Sequence, residues 1–178
     1  MKNRRNVIIA FLLCVSLVVG VGYAKLTDTL RLDGTANVKF ENANHVFDGA
    51  VVFDTTITQG SSNPTLDTIE YSADSDIATL SVNSLTVEGT TATFKLVIMN
   101  HYQEAIYATP TIDTSSMLFD STLIKISSNW AGATKMIPAG GAMEYILTID
   151  CLRTIEADET TSFQIGFAVS DTEPAATP

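Results

Sequence analysis

Few side chains in this 178-residue sequence are of types that could carry chemistry, and their spacing decides what they could do. The two histidines are His45 and His101. A zinc-protease helix needs His-Glu-x-x-His, which sets two imidazoles on one helix face beside a carboxylate base, and no such pair occurs. His101 and Glu104 have a spacing that a metal could use. However, Asn100-His101-Tyr102-Gln103-Glu104 reads as a turn between strands, and two ligands do not close a site. The Gly-x-Ser-x-Gly elbow of a serine hydrolase is absent, as is a Gly-rich phosphate loop after a strand. Cys151 has no partner cysteine except Cys14. It reads as a buried free thiol or, more sharply, as a reactive or intermolecular one. The densest carboxylates are Asp74-Ser75-Asp76 and Glu156-Ala157-Asp158-Glu159. Hard oxygen ligands suit calcium, but neither cluster completes an EF-hand loop, so surface solubility is the competing reading. Trp130, in Ser128-Asn129-Trp130-Ala131-Gly132, is either a candidate contact for a partner or sugar, or a partly buried loop anchor. Asn63 is followed by Pro64, which excludes N-linked glycosylation there. The expectation is a chain with no catalytic residues, no metal and no cofactor, and not an enzyme.

Composition narrows the classes further. Twenty Asp and Glu against ten Lys and Arg give a net charge of −10, which excludes an ordinary nucleic-acid binder with a basic face. An apolar share of 46% excludes a disordered chain, and two cysteines are too few for a disulfide scaffold.

The N-terminus reads as an export segment. Lys2, Arg4 and Arg5 precede an uncharged run from Val7 to Val21, and Gly22-Tyr23-Ala24 supplies a small-x-small exit. That order is a secretory signal peptide, with cleavage expected between Ala24 and Lys25. An uncleaved membrane anchor is the alternative, and either one puts the remainder outside the cytoplasm. Cys14 lies inside the apolar run with Leu12 and Leu13 before it, so lipidation is not expected. Removing residues 1–24 takes away three bases and no acid, which moves the net charge from −10 to −13.

From Leu26 onward the dominant period is two, the strand period. Leu30, Leu32, Ala36, Val38 and Phe40 share one face, opposite Arg31, Asp33, Thr35, Asn37 and Lys39. Further strands are expected at 51–57, 77–82, 85–87, 91–99, 106–112, 123–126, 143–149 and 163–169. Pro110 marks its run as an edge strand or a strand end. Asp48-Gly49, Gly60-Ser-Ser-Asn-Pro64, Glu88-Gly89 and Pro138-Ala-Gly-Gly141 are turn signals, and Ser115 to Leu123 has room for one helical turn. Eight or nine short strands with one apolar face each predict an all-β chain. The form is a two-sheet β-sandwich, jelly-roll or immunoglobulin-like, behind an N-terminal signal-peptide helix. The expected organisation is a signal peptide at 1–24, a sandwich at 25–170 and a frayed tail at 171–178.

The junction Gly20-Val-Gly-Tyr-Ala-Lys-Leu-Thr-Asp-Thr-Leu30 resembles that of exported Gram-positive proteins of the TasA/camelysin type, with Gly20, Gly22, Tyr23, Ala24 and Asp28 matching. The stretch from Leu85 to Asn100 resembles the strand-then-Asn segment of such domains. The stretch from Pro138 to Ile149 resembles their Pro-Gly turn and strand. The resemblance implies a secreted sandwich protein of a Firmicutes cell surface or biofilm matrix, whose signal is cut by a SipW-type signal peptidase. Some camelysin-like relatives carry a metalloendopeptidase label, and this chain has no zinc motif to receive it.

One assembly mechanism follows from the pattern. Cleavage after Ala24 would free Lys25 to Phe40, an alternating segment able to pair with a neighbour's exposed sheet edge. Its apolar residues Leu30, Leu32, Ala36, Val38 and Phe40 would fill the neighbour's core, and head-to-tail repetition would give a filament. The competing reading makes the segment the first strand of its own sandwich. The expected partners are therefore the signal peptidase and copies of this chain or related matrix proteins, with no nucleic acid, and with the membrane only through an uncleaved signal. The alternative function is an extracellular module binding a sugar or protein through the loops of Trp130 and of Pro138–Gly141.

Overall fold

The computed structural model describes residues 32–41, 47–57, 61–63, 65–115, 118–155 and 159–173. The expected signal-peptide helix and the cleavage residues Gly22, Tyr23, Ala24 and Lys25 lie outside them, as do Leu30, His45 and 174–178 of the tail. The described residues are all-β and hold ten strands: β1 (Leu32–Glu41), β2 (Val51–Phe53), β3 (Thr68–Tyr71), β4 (Ile77–Val82), β5 (Thr91–Asn100), β6 (Ile106–Asp113), β7 (Ile124–Ser128), β8 (Lys135–Ile137), β9 (Ala142–Cys151) and β10 (Glu159–Ser170). They form a six-stranded sheet in the order β3-β4-β1-β10-β6-β8 and a four-stranded sheet in the order β2-β5-β9-β7. The fold is a two-sheet β-sandwich, as the alternation requires. A strand apolar on one side must bury that side against a second layer.

The alternation is visible strand by strand. In β5, Ala92, Phe94, Leu96 and Ile98 are fully buried, while Thr91 and Lys95 face out. In β9, Tyr145, Leu147 and Ile149 point inward across from them. Ala36 and Val38 of β1, Ala78 and Leu80 of β4, and Ile165 and Phe167 of β10 supply the other half of the core. Only the β3–β4 hairpin stays within one sheet; every other connection crosses between layers.

Several expected boundaries move for local reasons. The run expected at 51–57 ends at Phe53, because Asp54 accepts the Thr56 N–H at 2.9 Å and its hydroxyl at 2.7 Å and turns the chain. The expected strand at 85–87 does not form. Leu85 is buried, but Asp67 Oδ1 accepts the N–H groups of Asn83 and Ser84, which ends the ladder after β4. Two strands had no period to announce them, β3 with four residues and β8 with three, and they form the two edges of the larger sheet. Pro110 is buried beyond the point where β8 stops pairing with β6, at Ala108, so the strand is locally an edge there. In the Ser115 to Leu123 region, Ile124 N–H donates to Asp120 O at 3.2 Å, closing one turn.

Candidate functional site

The N-terminal strand occupies a slot rather than an edge. β1 pairs in parallel with β10 over ten residue pairs, from Leu32↔Glu159 to Glu41↔Ala168. On its other side it pairs antiparallel with β4, from Gly34↔Val82 to Lys39↔Ile77. Without β1 the larger sheet would fall into β3-β4 and β10-β6-β8. An edge strand is held by one ladder, and this one is held by two.

Packing locks the strand in register. Gly34, Ala36, Val38 and Phe40 face inward. Burial of Val38 alone stabilises the pairing by roughly 1.5–3 kcal/mol. Phe40 stacks on Phe53 with centroids 4.5 Å apart and leans on Phe167 at 5.9 Å. At Gly34 a Cβ would lie 3.4 Å from Val82 Cβ and 3.5 Å from Thr161 Cγ2, so nothing larger than a methyl fits without displacement. Leu32 lies in the strand, but its side chain is outside the described residues. A shift of one residue would turn Ala36 and Val38 outward and bring Asn37 in.

Trp130 is not offered to a partner. Its side chain is 3% exposed, and its indole N–H donates to Glu144 O at 2.8 Å. It meets Tyr145 and Phe167 edge-on at 5.4 and 5.7 Å. The buried-anchor reading therefore replaces the contact reading. Indole has a large apolar body and one donor, and both are satisfied inside.

The chemistry-bearing residues do not converge. No group of three or more His, Cys, Asp or Glu among the described residues could hold a metal. His101 is exposed in the turn after β5, and Asp74 and Asp76 lie in the β3–β4 turn. Glu156 and Asp158 fall outside the described residues. The Cys151 thiol is 2% exposed and donates to Arg153 O at 3.0 Å. Asp54, Asp113 and Asp120 titrate below the usual carboxylate range, chiefly because the hydroxyl and N–H of Thr56, Ser115 and Thr122 hold the ionised form. They are turn-forming acids. Burial pushes the hydroxyls of Tyr71 and Tyr145 up; Asp54 adds to the first and Ser128 opposes the second.

Two buried polar residues matter more than any of these. Asn100, 1% exposed, donates its amide to the carbonyls of Glu104, Ile137 and Pro138 at 2.9–3.1 Å and accepts from Tyr102 N–H. Its own N–H donates to Gly141 O, so it joins the segments ending at Asn100 and beginning at Pro138. Asp67, 1% exposed, accepts from the N–H groups of Asn83 and Ser84 and from the Ser84 hydroxyl at 2.6 Å. Reading the sequence for catalysis passes over both, because a lone Asn or Asp in a turn has no spacing signature.

No family model matches the chain, and no curated protein matches it. Function is therefore read from the chain's own geometry.

Proposed function

We propose that this chain is a non-catalytic structural protein of a Gram-positive cell surface or biofilm matrix, exported by its N-terminal segment and assembled by strand donation. What carries the reading is the place of β1. Among the described residues it is the first strand, it fills an interior slot, and residues 42–50 join it to β2. A strand supplied by a neighbour would make the same two ladders and bury the same side chains. Exchange is therefore nearly balanced in contacts, and concentration decides between closed and linked forms. The linked form is heterologous and propagates. While an uncleaved segment holds residues 25–40 at the membrane, the strand cannot be donated, so cleavage at Ala24–Lys25 by a SipW-type peptidase acts as the switch.

The test compares a chain starting at Lys25 with one starting at Asn42. The first forms filaments seen by microscopy. The second forms none, and it captures a synthetic peptide of residues 25–41. Equal polymerisation of both chains overturns the proposal.

A further inference from the structure

The alternation that buries one side of β1, β4 and β10 lays the other side open. On this outer face the register sets Glu70, Thr79, Asn37 and Gln164 in one row across β3, β4, β1 and β10. The next row is Thr68, Ser81, Thr35 and Ser162. A third row holds Ile77, Lys39 and Gly166. Two depressions result, of about 470 and 240 Å³, and they share Asn37 and Gln164, so they form one trough.

The groups in that trough have a definite chemistry. Thr79 Oγ1 donates to Asn37 Oδ1 at 3.1 Å, which leaves the Asn37 NH2 as the group facing a ligand. Gln164 is exposed and presents a donor and an acceptor on one plane. Hydroxyls of Thr35, Thr79 and Ser162 surround them, and Ile77, 37% exposed, adds an apolar contact at one end. Lys39 and Glu70 are the charged residues of the lining, and they cancel, although the chain carries −10. A polyanion is repelled by such a protein, and a polycation has stronger sites on it than a neutral trough. An added peptide strand needs free backbone, and the central strands here are paired on both sides. A ligand whose hydroxyls both donate and accept, and whose ring faces are apolar, satisfies every group present.

We propose that this face binds a neutral, hydroxyl-rich polymer, a short stretch of uncharged polysaccharide, with Asn37 and Gln164 as its principal contacts. This goes beyond assembly and does not depend on it, because the trough is complete whichever molecule supplies β1. It also places saccharide contact on a sheet face rather than on the loops of Trp130 and Pro138.

The experiment titrates the chain starting at Lys25 with cellohexaose, maltohexaose and chitohexaose by calorimetry. At least one of the three binds saturably, and added salt leaves the affinity unchanged, as a neutral ligand requires. Asn37→Ala and Gln164→Ala each weaken that binding about fivefold or more, the loss of one neutral hydrogen bond. Thr148→Ala, on the outer face of the other sheet, does not. Asn37→Ser and Gln164→Ser serve in place of any alanine variant whose melting temperature falls. The inference is overturned if none of the three oligosaccharides binds saturably. It is equally overturned if binding survives both trough substitutions or weakens steeply with salt.

Discussion

Asn100 shows what a single buried amide can hold. It gathers the carbonyls of Glu104, Ile137 and Pro138; the bond to Ile137 is fully buried, and Pro138 O also accepts the Gly141 N–H. Asn100→Ala is expected to destabilise the fold by about 1–3 kcal/mol, the range for one buried polar group left unsatisfied. Denaturant unfolding measures this, and a loss well under 1 kcal/mol would contradict the role. The Tyr145 hydroxyl gives a pH prediction. Its folded value is raised by burial, so its contribution is intact below the ordinary tyrosine range and is lost as pH rises through the folded value. Alkaline titration followed by tyrosine absorbance should therefore show a late step that coincides with unfolding above about pH 10. A step complete in the folded protein at the ordinary value would contradict it. At this scale the sequence was readable in part. It marked Asn100 and Pro138–Gly141 as segments worth noting, but the contact between them depends on which strands become neighbours. Trp130 offered two environments, and only the packing of Tyr145 and Phe167 against it decides for burial.

The elements were readable wherever a long period existed. β4, β5, β9 and β10 follow their alternation closely, because runs of six to twelve residues with one apolar face have few other ways to bury it. β3 and β8 carry three or four residues each, too few for a period, and their pairing is imposed by the neighbours β4 and β6. They also show how the larger sheet limits its edges: both are short, and β8 carries a lysine. β1 alternates clearly, but its position between β4 and β10 could not be read, because period two reports a face and not a neighbour. Gly34 is the sensitive point of that slot. Gly34→Ala should be tolerated, since its methyl meets ordinary contact distances at Val82 and Thr161. Gly34→Val should cost about 1–3 kcal/mol through overpacking. Comparing the two melting curves checks this, and equal effects would show that the slot is loose there.

At the scale of the whole molecule, the six-stranded sheet is the feature that ties stability to the proposed assembly. Its N-terminal strand is central, so a chain that gives this strand away opens its own core until it receives another. The acidity suits that behaviour. A net charge of −10 discourages unspecific clumping, while a strand slot accepts only a segment of matching register. The most direct measurement uses the β1–β10 register, in which Thr35 faces Ser162. Chains starting at Lys25 and carrying Thr35→Cys with one tag, or Ser162→Cys with another, are mixed under assembling conditions and oxidised. Strand donation predicts a disulfide-linked species containing both tags, its yield rising with concentration. Linkage that forms only when both substitutions lie in the same chain would contradict donation and leave β1 as a strand of its own sandwich alone.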